Sequence, residues 1–420
     1  MADINNTISS SAGWRKTVWG DVKDLTVPHE KPLKKIQFEA RKKLGSQYSE
    51  VVFVSEEGGL TYADGSGNVY ALNDSVAAVS HEALGSGKEI SLKSTVSFKA
   101  LSTAVSGGEQ AHGRFFTRWM ANAKQSHIKR QCDVLINGGR HRGSIAVGGA
   151  AGTGATQTLT LTISETAMGF FLNNRGYIDI YDSTGVTKRN ATGTFKIDSF
   201  VPGTASHTMV VTATQASELD AVTDNDIIFP MGAKGVESPG VLFVAGNVSA
   251  SYLGIDASAI PEWRGNVQAV GGNLSLTAVR TGLTRAMDRG AMGRFLFLCN
   301  STNFNHFAAD IEALRQVHRA DDEKHFKSGL MDLEYYIEDD VSVMFMTSTL
   351  MPGGYAVALP VEECYRVGSS DFGFTLAGSG IEGDMIQYLE GFNAVQLRTF
   401  SDELYWTCDP RGHVQFTTIS

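Results

Sequence analysis

A chain of 420 residues, 42% apolar and 19% charged, is long enough for two or three domains around a sizeable core, and this composition excludes wholesale disorder. Its 45 glycines against 9 prolines suit turns and extended segments better than a helical bundle. The net charge of -9 divides into +5 over residues 1–143 and -14 over residues 144–420, a split that suits an N-terminal part facing an anion and a remainder that keeps the protein soluble.

No run reaches the roughly 18 to 20 apolar residues needed to span a bilayer, and the longest, around Phe295-Leu296-Phe297-Leu298, has the length of a core strand. The first residues, Met1-Ala2-Asp3-Ile4, lack the basic start and apolar segment of a secretion signal, so a cytoplasmic protein with no membrane partner is expected. Cys132, Cys299, Cys364 and Cys408 form no C-x-x-C pair and read as buried reduced thiols.

Residues 1–49 read as an N-terminal arm carrying Trp14, Trp19 and a short amphipathic stretch at 32–44. In that stretch Leu33, Ile36, Phe38, Ala40 and Leu44 alternate with Lys34, Lys35, Arg41, Lys42 and Lys43. So short a segment buries little alone and is expected to dock elsewhere. Residues 50–106 read as a β-excursion. Val51-Val52-Phe53-Val54, Leu60-Thr61-Tyr62 and Asn68-Val69-Tyr70-Ala71-Leu72 look like strands, separated by glycine-rich turns. A second strand pair is expected at 88–92 and 95–101, with a hairpin turn at Gly85-Ser86-Gly87 before it. A two-stranded ribbon is marginal by itself, so this region is expected to lie on a neighbouring molecule.

The clearest helix spans 108–137, bounded by Gly107-Gly108 and Gly138-Gly139, with Phe116, Trp119, Met120, Ala123, His127, Val134 and Leu135 at helical spacing. At about 1.5 Å per residue it would run roughly 40 Å, the length of a mechanical strut. Residues 144–235 are rich in small polar residues and read as a small all-β barrel or sandwich, with strands at 158–163, 177–181, 193–200, 208–212 and 225–229. From residue 260 the pattern is α+β: helices at 274–289 and 303–320, and strands at 294–299, 341–346, 355–361 and 391–399. The chain closes on Leu404-Tyr405-Trp406 and His413-Val414-Gln415-Phe416.

No catalytic signature emerges. Gly85-Ser86-Gly87-Lys88-Glu89 lacks the first glycine of a phosphate-binding loop, and Glu89 stands where Ser or Thr would reach the metal ion. The glycines from Gly148 to Gly154 read as a flexible loop, since they open no helix. His318 to His325 read as a solvated loop and Glu338-Asp339-Asp340 as a charged turn, so neither a metal nor a cofactor is expected. Lys34, Lys35, Arg41, Lys42 and Lys43 suit non-specific contact with DNA phosphates, which needs only cations on a surface.

The order of elements resembles the major capsid proteins of tailed bacteriophages, whose fold is shared with encapsulins and the herpesvirus capsid floor. Four features carry the likeness: 93–101 leading into the long helix; the segment from Ile255 to Gly265, with Pro261-Glu262-Trp263, ahead of the 274–289 helix; that helix followed by Phe295-Leu296-Phe297; and the module at 144–235, with 167–181 and 224–229 in places typical of an inserted β-domain. The resemblance implies an α+β fold with an N-arm at 1–49, an E-loop at 50–106, a spine helix and start of a P-domain at 107–143, and an inserted β-domain at 144–235. A return to the P-domain at 236–265 and an A-domain with closing P-domain strands at 266–420 complete it.

It also implies a structural protein and not an enzyme, assembled in a bacterial cytoplasm into pentamers and hexamers of an icosahedral shell around double-stranded DNA. Its partners would be identical subunits, a scaffold protein, a portal and a decoration protein. The arm is too short for a built-in helical scaffold, so the chain is expected to be used uncleaved. Within that scheme Leu60, Tyr62, Val69, Tyr70 and Leu72 would make inter-subunit contacts over the next subunit's spine helix. Trp14, Trp19, Leu33 and Ile36 would pack the arm. The competing readings are an encapsulin-like compartment, a phage tail-tube or decoration protein, and a hydrolase, which lacks a nucleophile–base pair here.

Overall fold

The structure, a computed structural model, describes residues 31–39, 47–63, 65, 67, 69–99, 102, 109–315, 334–338, 341–374, 386–389 and 391–420. Its frame is the long helix Glu109–Asn137, which ends where Gly139 takes a φ of 78°, a left-handed turn that favours glycine. Trp119, Ala123, His127 and Gln131 recur every fourth residue and are buried, so one stripe of the helix lies against a sheet.

That sheet is built on β20 (Ala394–Thr407), a 14-residue strand. β4 (Lys88–Ser97) runs antiparallel along one edge of β20, while β18 (Cys364–Gly373) and β19 (Ile386–Tyr388) share the other. β1 (Phe38–Glu39) adds a short parallel pairing on β18. Three expectations change here. Residues 88–97 form one continuous strand, not half of a hairpin pair, because each residue from Lys88 to Ser97 finds a partner on β20. The 391–399 strand and the Leu404-Tyr405-Trp406 segment belong to the same strand, and β18 had no expectation at all. The segment at 31–39 docks on the chain's own body: Ile36 is fully buried, and Arg366 donates from its backbone to Gln37 O (2.8 Å) and from Nε to Ile36 O (3.1 Å).

Buried polar side chains fix the helix to this sheet. Trp119 Nε1 donates to Ser94 Oγ (2.7 Å), and the His127 ring sits between Ser401 Oγ (2.8 Å) and Thr399 Oγ1 (2.9 Å). Arg366 meets Glu403 at 2.7 Å and Asp371 at 3.0 Å. Burying a charge is tolerated when it is paired in this way.

A second sheet has the order β13 (Asn266–Gly272), β21 (Val414–Ile419), β17 (Ala356–Pro360), β14 (Gly293–Cys299), β16 (Val341–Thr347), β15 (Glu334–Glu338). In β14 the residues Phe295 to Cys299 are wholly buried. Leu296 and Leu298 face the main core, while Phe295, Phe297 and Cys299 face a second core shared with helices Leu276–Asp288 and Ser301–Arg315. Burial on both faces explains why this strand is a continuous apolar run.

Six strands close into a barrel in the order β10 (Ile227–Pro230), β5 (Gly143–Ala151), β6 (Thr156–Leu161), β9 (His207–Ala213), β8 (Phe195–Val201), β7 (Tyr177–Tyr181). Ile145, Leu159, Leu161, Phe195, Ile197, Met209 and Val211 are buried in it. β5 overturns the loop expected from Gly148 onward: the barrel needs a strand between β6 and β10, and its ladder hydrogen bonds come from the backbone, which glycine supplies like any other residue.

Arg142 holds the barrel to the helix. Fully buried, it grips Asp133 with Nε (3.0 and 2.9 Å), Asn137 O with Nη1 (2.8 Å), and both Glu237 oxygens (2.9 and 2.7 Å). The two chain crossings into and out of the barrel touch at Gly138 and Gly240, where Gly240 N donates to Gly138 O at 2.9 Å. A Cβ on Gly138 would stand 2.0 Å from Ser238 O. Removing one partner of a buried ion pair costs about 3–5 kcal/mol, so Asp133→Ala should lower the unfolding free energy by that order, measured by urea denaturation.

Burial pushes His127 down to about 4, against a partial pull upward from Asp371, and burial pushes His413 down to about 4 as well. A histidine held below its ordinary value contributes stability that is present above about pH 6.5 and lost as pH falls towards 4. Glu403 works in the opposite sense. Burial, partly offset by Arg366, raises it to about 7, so its contribution is present at low pH and lost as pH rises through that value. With two histidines against one carboxyl, the urea midpoint should fall as pH is lowered below about 6.5, and His127→Gln should make that fall shallower.

Candidate assembly surface

β2 (Tyr48–Phe53) and β3 (Ser80–Gly85) pair antiparallel from Tyr48↔Gly85 to Phe53↔Ser80, forming a two-stranded ribbon. Strand alternation divides it into two faces. Tyr48, Val52 and Ala83 turn towards the body, while Val51, Phe53 and Leu84 stand in solvent. Beyond the ribbon the two chain paths stay joined. Val54 N donates to Val79 O (2.9 Å), Gly58 N to Val76 O (2.8 Å), and Asn73 Nδ2 to Leu60 O (2.8 Å). Residues 60–62 and 69–72, expected as strands, are extended without forming a ladder, since only these sparse bonds join them.

The root of the ribbon is set firmly in the body. Trp406 Nε1 donates to Glu50 Oε2 at 3.0 Å, and Leu84 N to Leu253 O at 2.8 Å. A Cβ on Gly85 would lie 2.4 Å from Leu404 Cδ2 and 2.9 Å from Leu253 Cδ2, so only glycine fits. The Gly85-Ser86-Gly87 segment is therefore not the hairpin turn expected. It is a corner, because β3 pairs with β2 while β4 pairs with β20.

All five residues expected to make inter-subunit contacts lie on this excursion and are more than half exposed, with Tyr62 at 90% and Val69 at 102%. Val51, Phe53, Val76, Val79 and Leu84 join them as exposed apolar residues that the sequence reading did not single out. Ten of the 21 large exposed hydrophobic side chains among the described residues thus fall between positions 51 and 84. Scattered exposed apolar residues are ordinary, whereas so dense a run marks an interaction surface. The signal for the missed residues was present in Val51-Val52-Phe53-Val54, which reads as a strand but does not reveal which face lacks a cover.

In the arm, Ile36 is buried, Leu33 packs half-buried on the main core, and Trp14 and Trp19 lie outside the described residues. Lys34 and Lys35 are exposed on the short helix Lys31–Lys35, while Arg41, Lys42 and Lys43 lie outside the described residues, as do 318–325 and Asp339-Asp340. Among the described residues, no trio of His, Cys, Asp and Glu side chains is placed to hold a metal ion, and no helix is long and apolar enough to cross a membrane. Cys132, Cys299 and Cys364 are buried and form no disulfide among the described residues, and burial raises the Cys299 thiol to about 12, which leaves it inert at neutral pH.

Against solved structures, the chain is similar to the subunit in the capsid asymmetric unit of cyanophage A-1(L), with a TM-score of 0.57, 10% identity and 96% of each chain covered. The fold is that of a tailed-phage capsid subunit. Weaker likenesses are to the capsid of a native GTA particle, with a TM-score of 0.47, 7% identity and 100% of each chain covered, and to an encapsulin from Synechococcus elongatus, with a TM-score of 0.41, 8% identity, and 98% of this chain and 95% of that one covered. No protein-family model and no curated protein matches the chain by sequence.

The packing at the root makes a direct test. Gly85→Val should raise amide hydrogen exchange in residues 48–53 and 80–85 while leaving the barrel strands protected, as mass spectrometry of peptic fragments would show.

Proposed function

We propose that this chain is the major shell subunit of a tailed phage, assembling through identical copies into pentamers and hexamers of an icosahedral shell that encloses double-stranded DNA. One observation carries the reading: an excursion rooted in the body by close packing presents ten exposed apolar side chains among the described residues. Repeated head-to-tail contacts between copies would cover them and close rings, so assembly and full stability become one process. The likeness of fold to a cyanophage capsid subunit supports the same reading.

In this proposal the chain contributes structure, not chemistry, and resides in the virion. The spine helix transmits force between the barrel and the two sheets, and 144–235 forms a domain inserted into that frame. A separate scaffold, a portal and a decoration protein are the partners that such a shell would recruit. Lys34 and Lys35, with Arg41, Lys42 and Lys43, would meet packaged DNA without reading its sequence.

Deleting residues 60–73 removes the tip of the excursion but leaves its root and every core cluster intact. The variant should stay soluble, unfold within about 0.5 kcal/mol of the parent subunit, and form no shells in negative-stain electron microscopy. Normal shells from it would refute the reading.

A further inference from the structure

Where the long helix passes the barrel, two buried hydrogen-bond donors from different elements end without an acceptor among the described residues. One is Nη1 of Arg130 on the helix, and the other is Nδ2 of Asn174 in the loop that leads into β7. The amide is fixed in that orientation, because its Oδ1 accepts from Gly176 N at 2.9 Å and Nδ2 must face elsewhere. The guanidinium is fixed as well, lying over the Phe170 ring at 4.4 Å from its centroid. A buried donor without an acceptor is costly, so two of them together call for a guest that carries oxygen.

Both side chains border the same space. A Cβ on Gly176 would lie 2.9 Å from Asn174 Oδ1 and 3.8 Å from Arg130 Nη2, and glycine keeps that space clear. Lys129 Nζ donates to Leu172 O, which fastens the start of the same loop to the neighbouring helix position.

The charges here do not balance. Asp133 reaches Arg130 only at 3.9 Å, beyond hydrogen-bond range, because both of its oxygens serve Arg142 and Oδ1 also accepts from Asn137. Lys129, Arg130 and Arg142 therefore share two carboxylates, Asp133 and Glu237. Exposed Arg175, between Asn174 and Gly176, adds a further cation at the surface. Burial brings Lys129 down to about 8, with the Arg130 charge adding to the fall and Asp133 resisting it. A water would accept from the two donors but leave the excess charge in place, whereas an oxyanion answers both. A tetrahedral oxyanion offers enough oxygens for donors that arrive from helix and loop, and a guanidinium suits its geometry.

We propose that Arg130 and Asn174, with Lys129 beside them, form a binding site for a free oxyanion of the phosphate class, which ties the 172–176 loop to the long helix. Because both orphaned donors are buried, the site admits a small free ion and excludes the backbone phosphate of an intact duplex. The Arg130 side chain is 30% exposed, which leaves the ion a way in from solvent. The proposal does not depend on the shell reading and holds whatever the chain assembles into.

The test is thermal unfolding of the full chain in low-millimolar sodium phosphate against sodium chloride of equal ionic strength, too dilute for general stabilisation by excluded salt. Phosphate should raise Tm by a few degrees, and calorimetric titration should show one saturable site per subunit. Arg130→Gln should weaken phosphate binding about tenfold or more, the loss of a charge-assisted hydrogen bond. If Arg130 only supported the fold, the variant would melt lower in both salts and keep its response to phosphate, and that result overturns the proposal. Asn174→Asp guards against misfolding, since Oδ1 still accepts from Gly176 N while the new carboxylate takes the place of the anion. That variant should melt at or above the parent in chloride and no longer respond to phosphate. If the parent shows no saturable shift, or if Asn174→Asp responds as the parent does, the inference is wrong. A shift of equal size from short duplex DNA, abolished by Arg130→Gln, would also sink it, because the site would then take backbone phosphate.

Discussion

The arrangement depends first on the buried Arg142 guanidinium, which joins Asp133 of the long helix, the helix's last carbonyl at Asn137, and Glu237 beyond the barrel. A closed barrel has no free sheet edge with which to join its surroundings, so its place is set by its connections and by the 162–172 segment, where Gly169 N donates to Thr349 O (2.7 Å) and Tyr355 donates to Glu165 (2.8 Å). Here those connections meet at Gly138 and Gly240, too close for any side chain, and Arg142 ties both to one helix end. The ion cluster is costly to bury and unusable in pieces, which makes it a device of position more than of net stability.

The same helix carries the rest of the frame. Along one stripe it presents Trp119, His127 and Gln131 to a sheet that answers with Ser94, Thr399, Ser401 and Asp371. Polar groups buried this way have few alternative partners, so helix and sheet lock in one register. The excursion is the opposite case. Its root is as tightly packed as the core, yet past Phe53 scattered hydrogen bonds from backbone and side chains join its two paths while its apolar side chains stand exposed. A rigid mount and a bare surface belong together in a part meant to reach another molecule, because a surface already ordered loses less entropy on binding.

Much of this was legible beforehand. The long helix could be placed to within a residue because its apolar spacing and bounding glycines agree, and β14 stood out as an unbroken apolar run. The exposed character of Leu60, Tyr62, Val69, Tyr70 and Leu72 followed from a region with too few apolar residues to bury one another. Where the reading departed from the structure, the cause is pairing at a distance. Residues 88–97 looked like half of a hairpin because a sequence shows strands but not partners, and the partner lies some 300 positions later on β20. The glycines from Gly148 onward mask the strand character of β5, and only closure of the barrel calls for a strand there.

What the sequence determined by itself was local: the long helix and where it stops, the unbroken apolar run of β14, and that one long stretch lacks a core of its own. Those features follow from periodicity, glycine placement and apolar content within a few residues. Tertiary structure decided which face of each strand meets solvent, that Ile36 returns to the chain's own body, and that Lys93 comes to face Arg398 across two strands. Each of these depends on bringing together residues far apart in the chain, and no local pattern records a contact whose two halves lie hundreds of residues apart.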